Sequence, residues 1–328
     1  MTALATPATR PQAAQSLSAF GADVLAGLAA IPKRLPAKYF YDEAGSRLFE
    51  QITRLPEYYP TRTELNILQT FGEDIAQFAR PGAALVEFGS GSTSKARMLL
   101  RHMVSVRAYV PVDISAEYMN GEAARLRADF PNLQVLPVAA DFNRPLELPA
   151  GVRAGPRLGF FPGSTIGNLE PHEVTAFLRA ARRVLGHDAP FIIGVDLIKD
   201  PELLYAAYND AQGVTAQFNR NLLVRINREL GADFDVTAFE HHAFYNRELN
   251  RIEMHLASRR RQKVRILGKC FSFRVGETIH TENSYKYTVQ SFTALAQGAR
   301  WKSGAVWTDP DRLFSVHALR PESGGNGT

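Results

Sequence analysis

The 328-residue sequence predicts an α/β fold: a doubly wound, Rossmann-like sheet interrupted by a second, smaller α/β unit. Three observations carry this expectation. From residue 84 onward, short apolar runs alternate with helical patterns, the signature of βα units around a mostly parallel sheet. The first of those runs ends in a glycine turn that opens a helix. After Pro201 the rhythm changes to a long helical region followed by strand-like segments. With 45% hydrophobic and 22% charged residues, a chain of this length buries a full core, which excludes disorder as its main state.

Taken in order, residues 1–16 and the polar, glycine-rich end from Pro321 lack any periodic apolar pattern and read as disordered tails. Five strands follow from the runs Ala84–Phe88, Ala108–Val112, Val135–Ala139, Leu158–Phe161 and Phe191–Asp196. Helices are expected over Ser94–His102, Ala116–Asp129 and Glu170–Leu185, the last with Pro171 in its first turn. Glu202–Leu230 reads as one long helical region, and Glu240–Tyr245, Arg251–Ala257 and Lys263–Val275 as strands. Ser291–Ala299 is expected to be helical, and Ala305–Thr308 with Leu313–Leu319 to form a closing hairpin around Asp309-Pro310-Asp311. The block after Pro201 therefore reads as an insertion into the sheet.

Several function classes fall away on composition. One cysteine, Cys270, cannot form an internal disulfide or a cysteine zinc cage, which favours the cytoplasm. No apolar run approaches the ~20 residues of a membrane helix, and the N-terminus lacks the apolar core of a signal peptide. A formal charge of +5 from scattered arginines permits a nucleic-acid partner without requiring one. The strongest basic run, Arg259-Arg260-Arg261-Gln262-Lys263, has no interleaved aromatics and reads as a solvated turn. Glu240-His241-His242 with His255 lacks metal-ligand spacing, so no metal is expected.

The glycine turn runs Glu87-Phe88-Gly89-Ser90-Gly91-Ser92-Thr93-Ser94-Lys95. In an open α/β sheet such a turn places a ligand at the carboxyl edge, against the N–H groups of a helix start. The next strand ends at Asp113, where a carboxylate can accept both hydroxyls of a ribose, and the third ends at Asp141-Phe142, an acceptor for an adenine amino group beside a ring that can cover the base. Ser94 stands where a dinucleotide site has its third small residue, and there is no triphosphate-binding loop. A nucleoside without a pyrophosphate, such as S-adenosylmethionine, fits this pattern best. No Ser-His-Asp or Cys-His arrangement with recognisable spacing is present.

Longer motifs add to this. They are Tyr39-Phe40-Tyr41-Asp42 with Gly45-Ser46 and Leu48-Phe49-Glu50; Pro56-Glu57-Tyr58-Tyr59-Pro60-Thr61-Arg62-Thr63-Glu64; Gly89-Ser90-Gly91 with Lys95; Gly163-Ser164-Thr165-Ile166-Gly167-Asn168; Gly213 to Asn221; and Thr281-Glu282-Asn283-Ser284-Tyr285-Lys286. On these, the segment from about Pro36 to Arg320 resembles the S-adenosylmethionine-dependent histidine Nα-methyltransferases of ergothioneine biosynthesis. The resemblance implies a class I methyltransferase core over 61–197 and 287–320, a substrate-binding domain from 17–60 and 198–286, and an active site between them. It implies S-adenosylmethionine as cofactor, leaving as S-adenosylhomocysteine, bound by Gly89, Ser90, Gly91, Lys95, Asp113, Asp141 and Phe142. It further implies L-histidine as substrate and hercynine, its trimethylated betaine, as product, on a monomer with no nucleic-acid or membrane partner.

For the substrate, the resemblance sets Asn168 and Tyr208 at the amino-acid end, and points to Tyr41 over Tyr39 and to Tyr58 over Tyr59 for orienting the amine or ring. Asn168 can donate to a carboxylate while accepting from an amine, and equally suits a plain turn after Gly167. Glu282 and Ser284, two apart, share one face of an extended strand, where a carboxylate and a hydroxyl can each engage one edge of an imidazole; the same spacing also suits a solvated face. With the resemblance, this pair sets side-chain specificity, Met254 lines the ring, and Tyr41 and Asn168 serve catalysis. Methyl transfer to another aromatic amino acid such as tryptophan, a nucleic-acid methyltransferase, and a non-catalytic cofactor sensor are the competing expectations.

Overall fold

The computed structural model describes residues 17–322. Most of both expected disordered tails lies outside these residues; Pro321, expected in the tail, instead ends the last strand.

The chain begins with α1 (Ala19–Ala29), the short β1 (Lys33–Arg34), a 3-10 turn at Ala37–Phe40 and α2 (Glu43–Ile52), whose N-cap Asp42 accepts the Gly45 N–H. α3 (Tyr59–Thr70) and α4 (Gly72–Ala76) lead to the repeating part: β2 (Ala84–Phe88), α5 (Ser94–Leu100), β3 (Ala108–Asp113), α6 (Ala116–Asp129), β4 (Gln134–Val135), β5 (Val138–Ala139), α7 (Ala150–Arg153), β6 (Arg157–Phe161), a 3-10 turn at Thr165–Asn168, α8 (Pro171–Leu185) and β7 (Phe191–Asp196). The expected third strand is two pieces because Pro137, lacking an N–H, cannot continue the ladder.

The expected long helix is likewise two, α9 (Pro201–Tyr208) and α10 (Val214–Leu230). Asp210 ends the first run by accepting the N–H groups of Val214 and Thr215, both at 2.8 Å, and so caps a new helix. β8 (Phe239–Asn246), β9 (Arg251–Ser258), β10 (Gln262–Ile266), β11 (Lys269–Phe273) and β12 (Thr278–Tyr285) follow, β10 and β11 being the two arms of what the sequence showed as one strand. α11 (Val289–Gly298), β13 (Trp301–Thr308) and β14 (Phe314–Pro321) close the chain.

The main sheet runs β13-β14-β7-β6-β2-β3-β4, with β5 also paired to β3. Strands β2 to β7 are mutually parallel, while β14 is antiparallel to both neighbours. The order reverses between β2 and β6, which opens a crevice at their carboxyl ends. Apolar clusters cover both faces of this sheet, one centred on Phe88, Phe161, Phe177 and Phe191, the other on Leu85, Leu99, Phe160 and Phe314.

A second sheet, β1-β12-β9-β8, packs its inner face on α10 and the N-terminal segment around Phe40, Phe218, Met254 and Leu256. The two sheets meet where β7 and β12 end: Leu197 bridges Tyr287, and the Tyr287 N–H donates to the Asp196 carbonyl at 3.1 Å. No described helix is long and apolar enough to cross a membrane.

Candidate active site

A cleft of about 980 Å³ lies at the crevice of the main sheet and extends under β12 of the second. Its first half is built by three strand ends. Gly89 turns out of β2 with φ +70°, a conformation costly for a side chain, and a Cβ there would stand 3.4 Å from the Phe142 ring. The Gly91 N–H donates to Asp113 at 3.2 Å, and the Ser115 N–H holds the other Asp113 oxygen at 2.8 Å. Burial pushes the Asp113 carboxyl up, and these backbone donors only partly offset it. Asp141 accepts from the Asn143 N–H at 3.0 Å and from Lys38 Nζ at 3.3 Å, which ties the N-terminal segment to this wall. Phe142 packs edge-on against Phe161 and Phe177, giving the flat apolar surface a purine requires.

Of the expected cofactor residues, Gly89, Gly91, Lys95, Asp113, Asp141 and Phe142 line the cleft. Ser90 does not: it is 2% exposed, its N–H is spent on the Val112 carbonyl, and its hydroxyl has no partner among the described residues. Lys95 pairs with Glu64 at 2.6 Å, a carboxylate reaching in from α3 that also accepts the Gly163 N–H. Sequence reasoning missed Glu64, though it closes one of the quoted motifs, because a helical glutamate ordinarily faces solvent. It also missed Glu87, whose buried carboxyl receives the Tyr109 hydroxyl and is pushed up to about 8 by burial.

The second half takes its floor from β12. Between His280 and Glu282 the pairing with β9 slips by one residue, so that Glu282 stands opposite Met254 and Ser284 opposite Ile252. The extra residue, Thr281, is buried and donates its hydroxyl to Asn219 Oδ1 at 2.8 Å. Asn219, fully buried on α10, donates in turn to the His255 carbonyl at 3.0 Å, so the helix locks the slip in place. Glu282, Ser284 and Met254 face the cleft. The Glu282 carboxylate makes no hydrogen bond to another described residue, and burial pushes it up to about 8 against the pull of Lys286.

Beneath Ser284 lies a charged group the sequence did not reveal. Lys286 Nζ touches Asp196 at 2.7 Å, Ser284 Oγ at 2.8 Å and Tyr208 Oη at 3.2 Å. Tyr208 donates its own hydroxyl to Ser284 at 2.7 Å and also lines the cleft. Asp196 also takes Lys199 at 2.5 Å and the Tyr59 hydroxyl at 2.8 Å. Burial works against its ionisation, but the two lysines outweigh it and hold its carboxyl below the usual range.

Tyr41, Tyr58 and Asn168 complete the walls. Tyr41 packs edge-on against Phe49 and Phe218, and Tyr58 against Phe49 and Tyr208. Burial, reinforced by nearby Glu282, raises both phenols and keeps them neutral. Tyr39 bonds Asp23 and Tyr59 bonds Asp196; neither lines the cleft. The Asn168 amide lines the cleft and makes no bond to another described side chain.

Glu253, His255 and His280 cluster on the opposite face of β9 and β12. The two imidazoles stack at 4.6 Å with planes 12° apart, so their lone pairs lie in nearly parallel planes and do not converge on one ion. Asp113, Asp141, Lys95 and the Phe142 face line one half of the cleft together, an arrangement that can hold an adenosyl amino acid.

Comparison with known proteins agrees with this geometry. A family model described as "Histidine-specific methyltransferase, SAM-dependent" matches residues 20–321. The chain is 45% identical over 300 residues to the histidine N-alpha-methyltransferase of Mycobacterium tuberculosis, covering 90% of this chain and 92% of that protein. It is 45% identical over 301 residues to the protein of the same name in Mycolicibacterium smegmatis, with 90% and 92% covered. Ergothioneine biosynthesis protein 1 of Neurospora crassa is 30% identical over 304 residues, which are 88% of this chain and 33% of that protein.

Proposed function

The chain belongs to the histidine-specific methyltransferases that depend on S-adenosylmethionine, and we propose that it carries three methyl groups in turn to the α-nitrogen of L-histidine, giving hercynine for ergothioneine biosynthesis. The observation that carries this reading is the convergence of Glu282, Ser284 and Asn168 on the wall of the same cleft as Asp113 and Asp141. Residues 61–197 with 287–320 are assigned to the cofactor, and 17–60 with 198–286 to the amino acid. We place the reaction in the cytoplasm, on a monomer that needs neither nucleic acid nor membrane.

When bound, S-adenosylmethionine supplies an electrophilic methyl carbon, and the protein's task is to bring an uncharged nitrogen into line with it. Lys95 would hold the cofactor carboxylate, Asp113 the ribose diol, and Asp141 with Phe142 the base. Glu282 and Ser284 anchor the imidazole, which fixes where the α-carbon stands. Asn168, at the junction, accepts from the amine and donates to the substrate carboxylate. Tyr41 and Tyr58 stay neutral, orient the amine, and offer π faces to the growing cation. A pocket that hydrogen-bonds both ring edges rejects an apolar isostere by roughly 10⁴–10⁵. An indole, with a single N–H, would leave one of the two floor groups unpaired.

Mass spectrometry of histidine incubated with the enzyme and S-adenosylmethionine tests the reaction directly. Three methyl groups on the α-nitrogen are expected; methylation confined to the ring, or none, would sink the reading.

A further inference from the structure

We infer that Lys286, anchored by Asp196, fixes Ser284 as a hydrogen-bond donor toward the cleft, so that the pocket takes the substrate imidazole only as the neutral ring, its N–H on Glu282 and its bare nitrogen on Ser284. The inference rests on histidine occupying this pocket.

A count of protons leads to it. An ammonium has three N–H donors and no acceptor. Lys286 is 3% exposed, and its three nearest polar partners are Asp196, Ser284 and Tyr208, one for each donor. Ser284 Oγ thereby receives one hydrogen from Lys286. It receives a second from Tyr208 at 2.7 Å, because a phenol is a stronger acid and a poorer acceptor than an alkyl alcohol and here already accepts from the lysine. A hydroxyl has two acceptor lone pairs and one hydrogen. With both lone pairs taken, only the hydrogen of Ser284 remains for the cleft, and it requires an acceptor there.

An imidazolium offers two N–H groups and no acceptor, so it cannot satisfy Ser284 and would also stand one hydrogen bond away from a buried ammonium. A neutral imidazole has one of each. Its N–H falls to Glu282, whose carboxyl has no donor among the described residues and accepts through an oxygen whether or not it is ionised. Lys286 is thus a positioning residue: it touches no substrate atom but sets which protonation state of the ring is read. Asp196 keeps the ammonium in place; Lys199 sits on its other oxygen, and the Tyr59 hydroxyl lies within reach of both, which stabilises that carboxylate.

The test is nitrogen NMR of ring-labelled histidine bound to the enzyme with saturating S-adenosylhomocysteine, at about pH 6, below the ~6.5 of a free imidazole. The wild-type complex should show one protonated and one bare ring nitrogen; two protonated nitrogens would overturn the inference while leaving the proposed substrate intact. Failure of histidine to bind at all would remove the substrate reading and this inference with it. Lys286→Met and Tyr208→Phe each free a lone pair on Ser284, so in either variant the ring should shift toward imidazolium at the same pH. A variant that still binds S-adenosylhomocysteine and keeps the bare nitrogen refutes the role of the lysine. Should a variant fail to bind S-adenosylhomocysteine, the wild-type spectrum alone decides the ring's state.

Discussion

Gly167 and Tyr285 are in backbone contact: a Cβ on the glycine would lie 2.7 Å from the Tyr285 carbonyl oxygen and 3.2 Å from its nitrogen. The turn that presents Asn168 therefore rests directly on the strand that presents Glu282 and Ser284, with no side chain between. Gly167→Ala has to push these segments apart. We expect kcat/KM for histidine to fall by about 100-fold, since small misplacements of reacting groups cost that much, while calorimetric binding of S-adenosylhomocysteine stays within a few-fold. Equal loss of both would show that the contact merely maintains the fold.

Glu282 gives two outcomes. Glu282→Ala should weaken histidine by about 10–100-fold, the cost of leaving a buried ring N–H without its acceptor, and leave cofactor affinity unchanged. Its raised pKa also carries a stability consequence. The unfolded chain ionises this group near 4.5 and the folded one near 8, so folding loses stability as pH rises between those values, by at most about 5 kcal/mol. Without substrate, Glu282→Gln should therefore melt above wild type at pH 8 and alongside it at pH 4. A gap that does not depend on pH rules this out.

Asp113 tests the cofactor half. Asp113→Ala removes both the proposed ribose acceptor and the brace on Gly91, so S-adenosylhomocysteine should bind about 100-fold more weakly. Histidine affinity measured at saturating cofactor should change little. Titration of each ligand against the variant separates the two halves of the cleft.

Glu170 joins the same two segments at their rim. At the start of α8 it accepts from Arg251 at 3.0 Å, Asn283 at 2.9 Å and Tyr285 at 2.5 Å. Asn283 and Tyr285 alternate with Glu282 and Ser284 along β12, so Glu170→Ala should raise KM for histidine about 10-fold with kcat less affected. Unchanged steady-state kinetics would mean that Gly167 alone suffices to seat the strand.

His317 on β14 is fully buried, and burial pushes it down to about 4. Below about 6.5 the unfolded chain takes up a proton that the folded chain refuses, so stability drops as pH falls from there to about 4, by roughly 3 kcal/mol. Urea unfolding of His317→Leu should show a flatter pH profile across that window. Parallel profiles for the two proteins would assign acid sensitivity elsewhere.

The cleft wall at the main sheet was legible in the sequence because Gly89, Gly91, Asp113 and Asp141 come from consecutive strand ends, each marked by a short apolar run that stops at a glycine or a carboxylate. The wall under β12 was not: Tyr41, Asn168, Tyr208 and Glu282 are brought together by four separate segments, and only the resemblance to a family connected them in advance. Lys286, Asp196 and Glu64 escaped notice because charged residues are ordinarily solvated; what buries them is mutual pairing, which sequence spacing does not record. Pro137 and Asp210 did stand in the sequence as interruptions, yet the apolar runs around them masked the breaks.

The slip at Thr281 decides what the pocket reads. Side chains alternate along a strand, and Ile279 faces inward with Leu256. An unbroken alternation from Ile279 would turn Thr281, Asn283 and Tyr285 to the interior and send the acid and the serine outside. One inserted position exchanges the two sets. Ligand choice here is thus a matter of register: were Thr281 paired in the ladder instead of bulged, the enzyme would present an amide and a phenol where it now offers a carboxylate and a hydroxyl.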